Sequence, residues 1–236
     1  MSVFYLGMQN KIAPFDNIDV RKAFNYAIDK NSIVTYTLQG DGRPGLHGIV
    51  PPFKGYDYEG VKGYGYDPEK AKEHMKMAGF ENGKGFPEIT LQINSGGGDR
   101  NGQIAEVVQK MLSENLGVTI NIEQLQFPQH LENLETGKAL FWRSAWIADY
   151  PDPENFLNLL YGGHVPADIA TKSFINSVRY QNDAFDAKFN EALREIDETK
   201  RYELFKQADQ IAVDDAALLP VFYDENTRLI QVYVKN

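Results

Sequence analysis

Apolar residues recur along this chain with two periods, and the order of the periods predicts its elements. Residues 3–8 read as a short strand, followed by a loop containing Pro14. Val20, Ala23, Phe24, Ala27 and Ile28 fall at i, i+3, i+4, i+7 and i+8, one stripe of a helix capped by Asn17 or its neighbour. A second helical piece over residues 32–39 stops at Gly40. Asp67-Pro68-Glu69 supplies a cap, a proline for the first helical position and an acid for the first turn. Ala71, Met75 and Ala78 then give an inner face, and Gly79 ends it. Residues 88–94 alternate as a strand, residues 96–98 turn, residues 103–115 are helical and residues 118–124 form another strand. That order predicts a right-handed crossover joining parallel strands. A short helix over residues 128–136 leads into a strand opening at Trp142, which closes at Pro151-Asp152-Pro153 because prolines cannot continue a sheet. Beyond it come a helical turn over residues 154–161, a loop over 162–177 and two amphipathic helices. Phe185, Phe189, Ala192, Leu193 and Ile196 stripe the first, and Leu204, Phe205, Ala208, Ile211 and Ala212 the second. Residues 219–223 and 229–234 read as terminal strands. No repeat or linker divides the chain, so a single α/β body is expected.

Between residues 40 and 65 the periodicity gives way to glycine, proline and tyrosine, which predicts a long covering loop held down by its tyrosines. Composition narrows the partners. With 236 residues, 42% hydrophobic and 12% aromatic, the chain can build a sizeable core. A net charge of -9 and a pI near 5.0 argue against nucleic acid or an anionic membrane surface as partner. There is no cysteine, which excludes disulfides, thiol nucleophiles and zinc–thiolate sites. No apolar run approaches the length of a membrane span, and Met1-Ser2-Val3-Phe4 does not read as a signal peptide.

Most familiar chemistry is missing. Gly96-Gly97-Gly98 precedes a helix but lacks the Gly-Lys-Ser/Thr ending of a phosphate loop, and a strand-to-helix turn explains it. His47, His74, His130 and His164 are too far apart to be helix-spaced ligands, so no metal or other cofactor is expected. No Gly-x-Ser-x-Gly elbow occurs. What stands out is residues 142–153, with Trp142, Arg143, Trp146, Asp149, Tyr150 and Asp152 at the junction of strand and turn. Flat rings beside one anion and one cation suit a zwitterionic ligand. Asp149 and Asp152 among aromatics also fit a glycoside hydrolase, although a residue between two prolines more often caps a turn. The plainest account is a core tryptophan and a turn aspartate.

Several stretches in order carry a resemblance. Residues 20–30, Val-Arg-Lys-Ala-Phe-Asn-Tyr-Ala-Ile-Asp-Lys, resemble the VRxAxxxAIDR helix of the extracellular solute-binding proteins of peptide and nickel ABC transporters, family 5. Tyr66-Asp67-Pro68-Glu69-Lys70-Ala71-Lys72 with Ala78-Gly79, the step Leu116-Gly117-Val118, the run from Trp146 to Pro153 with Asn155-Phe156-Leu157, and Tyr180, Asn182 and Phe185-Asp186 match further motifs of that family. The resemblance implies one lobe of a periplasmic-binding-protein-like type II fold, a mixed β-sheet flanked by helices. It implies a C-terminal ligand-binding lobe spanning residues 1–236. Residues 1–10 and 219–236 would be inter-lobe strands, residues 11–218 the lobe body, and the N-terminal lobe and secretion signal would lie outside this sequence. The implied role is capture of a short peptide, without enzymatic activity, for an ABC transporter permease, in the periplasm or lipid-anchored at the cell surface. Asp149 would accept the peptide's ammonium group, Trp146 and Tyr150 would line the pocket, and Arg143 would face the carboxylate. Main-chain groups of Ala145 and Ile147 would pair with the peptide as an added strand. Oligosaccharide, nickel chelate or haem is the alternative cargo within that family.

Overall fold

The first strand of the chain is built into the middle of the sheet. In this computed structural model, residues 1–96, 98–169 and 171–225 are described. β1 (Ser2–Met8) pairs antiparallel on one side with β5 (Phe141–Ile147) and on the other with β6 (Leu219–Tyr223). β3 (Ile89–Asn94) and β4 (Ile120–Leu125) run parallel to each other, and β3 also runs parallel to β5. Two residues of the long loop, Arg43–Pro44, form β2 and pair with β6, completing a six-stranded mixed sheet in the order β2-β6-β1-β5-β3-β4. The second terminal strand expected at residues 229–234 lies outside the described residues.

Helices follow their capping signals. α1 (Ile18–Ala27) starts where Asn17 accepts from the Asp19 N–H at 2.9 Å. The next piece is split between α2 (Lys30–Ser32) and a π-helical stretch over Ile33–Thr37. α3 (Pro68–Met77) has Asp67 as cap, accepting from the Lys70 N–H at 3.1 Å. α4 (Arg100–Leu116) ends at Gly117, whose φ of 70° favours glycine, and this helix joins the parallel β3 and β4. α5 (Phe127–Glu135), α6 (Pro153–Leu157), α7 (Asp183–Arg194) and α8 (Glu198–Asp214) complete the set. The predicted stripe of α7 is too long: the helix stops at Arg194, so Ile196 lies beyond it and is exposed, and Leu193 in the last turn is half exposed.

Two cores lie on the two sides of the sheet. Leu6, Met8, Leu91 and Phe141 pack against α1, α3 and α4, while Val3, Tyr5 and Trp142 pack against α6, α7 and α8. Period-two alternation divides each strand between them. Gly7 lies against the Trp142 indole, and a Cβ there would sit 2.2 Å from the ring, so no larger residue fits.

Tyrosines do hold the loop over residues 40–65, with help from two buried ionisable groups. The Tyr64 and Tyr223 hydroxyls donate to the Val213 and Gly48 carbonyls. Lys30 donates to the Gly45 and Tyr64 carbonyls, and Asp209 accepts from the Ile49 N–H and the Tyr56 hydroxyl. Burial disfavours both charges, bringing Lys30 down to about 7 and Asp209 up to about 7.

Candidate functional site: the open edge of β5

β5 changes its surroundings part-way along. Its pairing with β1 runs the whole length, from Ile147 opposite Ser2 to Phe141 opposite Met8. Its pairing with β3 covers only Phe141 and Trp142. From Arg143 to Ile147, therefore, no described strand lies on the second side. Main-chain groups along a strand alternate between its two sides. The Ala148 N–H donates to the Met1 carbonyl and the Leu140 carbonyl accepts from the Gln9 N–H, so even-numbered residues here direct their groups toward β1. The Arg143 carbonyl instead meets His130 of α5 at 3.0 Å. Ala145 and Ile147 share its parity and present N–H and C=O groups to the open edge.

That edge borders a groove of about 460 Å³ lined by Arg143, Ser144, Ala145, Trp146 and Ile147 on one side. α5 residues such as Phe127 and Leu131, and Phe174 and Ile175 of a loop, form another wall. Charge inside it is sparse. Glu135 pairs with Lys172 at 3.5 Å. Arg143 has no ion pair among the described residues. Its guanidinium donates to Asn94 Oδ1 at 3.0 Å and lies 4.9 Å from the Phe4 ring centroid. Burial lowers it to about 10, with Arg100 pushing the same way, so it stays cationic at neutral pH. His130 lines the groove too. Burial lowers it to about 4 and it is neutral, with Nε2 carrying the proton toward the Arg143 carbonyl and Nδ1 accepting from Gln92 at 2.8 Å.

Past Ile147 the chain turns, and one asparagine organises the turn. Buried Asn155 accepts with its Oδ1 both from the Trp146 indole N–H at 2.8 Å and from the Asp149 main-chain N–H at 3.3 Å. Asp149 and Tyr150 are exposed, beyond the residues that line the groove, and the Tyr150 hydroxyl bonds Glu154. Asp152 is spent on structure. It caps α6 through the Glu154 N–H at 2.9 Å and forms a two-pronged ion pair with Arg201, at 2.5 and 2.9 Å. A carboxylate so held is a poor general acid, and with both oxygens bonded and no place in the groove lining it is poorly placed as a base or nucleophile to pair with Asp149 in a hydrolase.

The tertiary structure thus gathers Arg143, Ala145, Trp146 and Ile147 at the groove and leaves Asp149 and Tyr150 on the adjoining turn. Trp142, the other tryptophan of the stretch, is wholly buried core. Sequence reasoning predicted α5 and the loop carrying Phe174 but assigned neither, nor Asn94, to the site. Only His130 carried a signal, and it was weighed as a metal ligand; no cluster of three metal-ligating side chains occurs among the described residues.

The chain is similar to known proteins in sequence and in fold. Residues 1–167 match the family described as Bacterial extracellular solute-binding proteins, family 5 Middle. The chain is 30% identical over 234 residues to the Oligopeptide-binding protein OppA of Bacillus subtilis, covering 95% of this chain and 40% of that one. It is 31% identical over 221 residues to the Heme-binding protein A of Haemophilus influenzae, covering 94% and 39%. Among solved structures, the periplasmic binding protein DppA of Helicobacter pylori, in complex with peptide STSA, superposes with a TM-score of 0.83 at 30% identity over 94% of this chain and 41% of that one. This chain belongs to the family 5 bacterial extracellular solute-binding proteins, a family of binding proteins rather than enzymes, and its architecture is that of a type II periplasmic binding protein. It spans about 40% of the length of the curated relatives it matches.

Proposed function

We propose that this chain is the ligand-binding lobe of an ABC-importer substrate-binding protein that captures short peptides outside the cytoplasmic membrane, in the periplasm or anchored by lipid at the cell surface, and passes them to a membrane permease. The observation that carries the reading is the open edge of β5. Ala145 and Ile147 offer main-chain donors and acceptors with no strand partner among the described residues, beside a groove with a cation, Arg143, at one end and an exposed carboxylate, Asp149, past the other. An added ligand strand takes its affinity from main-chain bonds, which every peptide sequence can supply. The two charged residues then distinguish a peptide's ends. They are six positions apart, about 20 Å at ~3.3 Å per residue, which suits a ligand of a few residues. Trp146 and the apolar walls provide area for varied side chains.

One lobe is one wall. A second lobe, from outside this sequence, would close over the groove as in hinge-type binding proteins, with β1 and β6 as the adjacent strands that join the two. Micromolar affinity needs about 8 kcal/mol, more than half a site provides. The test is a titration of trialanine into this chain at millimolar concentration, followed by amide NMR. Shifts at Ala145 and Ile147 with weak overall affinity are expected. Shifts confined to other surfaces would end the strand-addition reading. In the two-lobed protein, Asp149→Asn should weaken trialanine by about tenfold or more and leave N-acetyl-trialanine little changed. Equal losses would take Asp149 out of the ammonium role.

The relative named as haem-binding supports haem as a second cargo. Against it, His130 lines the groove but spends Nε2 on the Arg143 carbonyl and is buried, so it is not free to ligate iron. A Soret shift on adding haemin that survives Arg143→Ala and is lost in Trp146→Ala would favour a porphyrin over a peptide.

A further inference from the structure

His130 is the groove residue that the peptide reading leaves without a task. It is 2% exposed and stands at the end of a line of hydrogen bonds. Asn133 donates to Gln92 Oε1 at 2.7 Å, Gln92 donates to His130 Nδ1 at 2.8 Å, and His130 Nε2 donates to the Arg143 carbonyl at 3.0 Å. The line ties α5 to β3 and to β5 at the residue where β3 stops pairing with β5.

Resting on the peptide reading above, we propose that His130 is a positioning residue that terminates the ligand strand: by occupying the Arg143 carbonyl it withdraws the last acceptor of the open edge, so a bound peptide must end beside Arg143. A strand running past this point toward β3 would bring a main-chain N–H that needs an acceptor. The carbonyl keeps a second lone pair, but the His130 ring stands on the side from which that N–H would approach. Either that N–H stays unpaired in the groove, or it displaces His130 and leaves the buried Nε2–H unpaired; each outcome weakens binding by about tenfold or more. A terminal carboxylate brings no N–H and needs donors instead. Arg143 supplies them, having no ion pair among the described residues. An acceptor withdrawn and a donor offered at one residue select a chain end over a continuing chain. The ligand class narrows to short peptides with a free carboxyl terminus.

The test has two parts. In this chain without ligand, imidazole ¹⁵N shifts should report the Nε2–H tautomer, unchanged from neutral pH down to about pH 5. An Nδ1–H tautomer, or a midpoint near 6.5, overturns the proposal. In the full-length protein carrying this chain, affinities for trialanine, trialanine amide and penta-alanine are compared among the wild type, His130→Ala and His130→Gln. The wild type should bind trialanine at least about tenfold more tightly than either other probe. His130→Ala should lose most of the preference over penta-alanine, and His130→Gln, which keeps an N–H donor, should retain it. His130→Leu replaces the alanine variant if that one does not fold. A length profile unchanged by removal of the donor overturns the terminating role while leaving the peptide reading intact. Failure of the wild type to bind any of the three peptides overturns both.

Discussion

β5 has two halves that differ only in their neighbours. Phe141 and Trp142 have a strand on each side and a core on each face, and both are fully buried. Arg143 to Ile147 keep the same alternation and the same partner β1, but no described strand covers their second side and Ile147 is 71% exposed. In the closed half Trp142 is packing; in the open half Trp146, four residues later, becomes a groove wall, pinned by Asn155. The lesson is that a strand offers an open edge where its neighbour stops, and side-chain type does not mark the place.

The contrast can be broken most easily by truncation. Trp142→Ala should cost about 3–5 kcal/mol in denaturant unfolding, as buried aromatic deletions do, and Trp146→Ala less than half as much. Equal costs would mean that Trp146 is core as well. Acid should act on the junction between the halves. The folded state holds His130 near 4, whereas in the unfolded chain it titrates near 6.5, so the unfolded state takes up the proton first. Its contribution is complete above about pH 6.5 and is lost as pH falls through 4, by up to about 3 kcal/mol. Asp209, raised to about 7, has the opposite sign over much of this window, since acid favours its folded, protonated form. Stability of the wild type minus that of His130→Gln between pH 4 and 7 cancels the Asp209 part, and a flat difference would contradict the assignment.

Hydrogen exchange sharpens the comparison residue by residue. The amides of Ser144 and Trp146, directed at β1, should exchange on the order of 10² times more slowly than those of Ala145 and Ile147. Uniform protection along β5 would show the second edge to be covered. The smallest effect separates the two carboxylates of the turn. Asp152→Asn disturbs a helix cap and a paired arginine and should cost about 1–2 kcal/mol, whereas exposed Asp149→Asn should stay within about 0.5 kcal/mol. A larger loss at Asp149 would make it structural.

Much of this was legible beforehand. The stripe from Val20 to Ile28, the Asp67-Pro68 cap and the strand–helix–strand run from Ile89 to Leu125 were readable because local periodicity and capping depend on near neighbours in sequence. The motif around Trp146 and Asp149 was readable through its family likeness. The chain also hid its mistakes locally: Ile196 continues the apolar period of α7, and nothing at that position shows that the helix has already ended.

By itself the sequence determined most of the elements and the family, since each is written in residues a few positions apart. Only the tertiary structure decided that Trp142 is core while Trp146 faces a groove, that Asp152 belongs to Arg201, and that His130 meets the Arg143 carbonyl. Those outcomes depend on which strand and helix stand beside β5, and contacts between distant segments leave no mark in any local pattern.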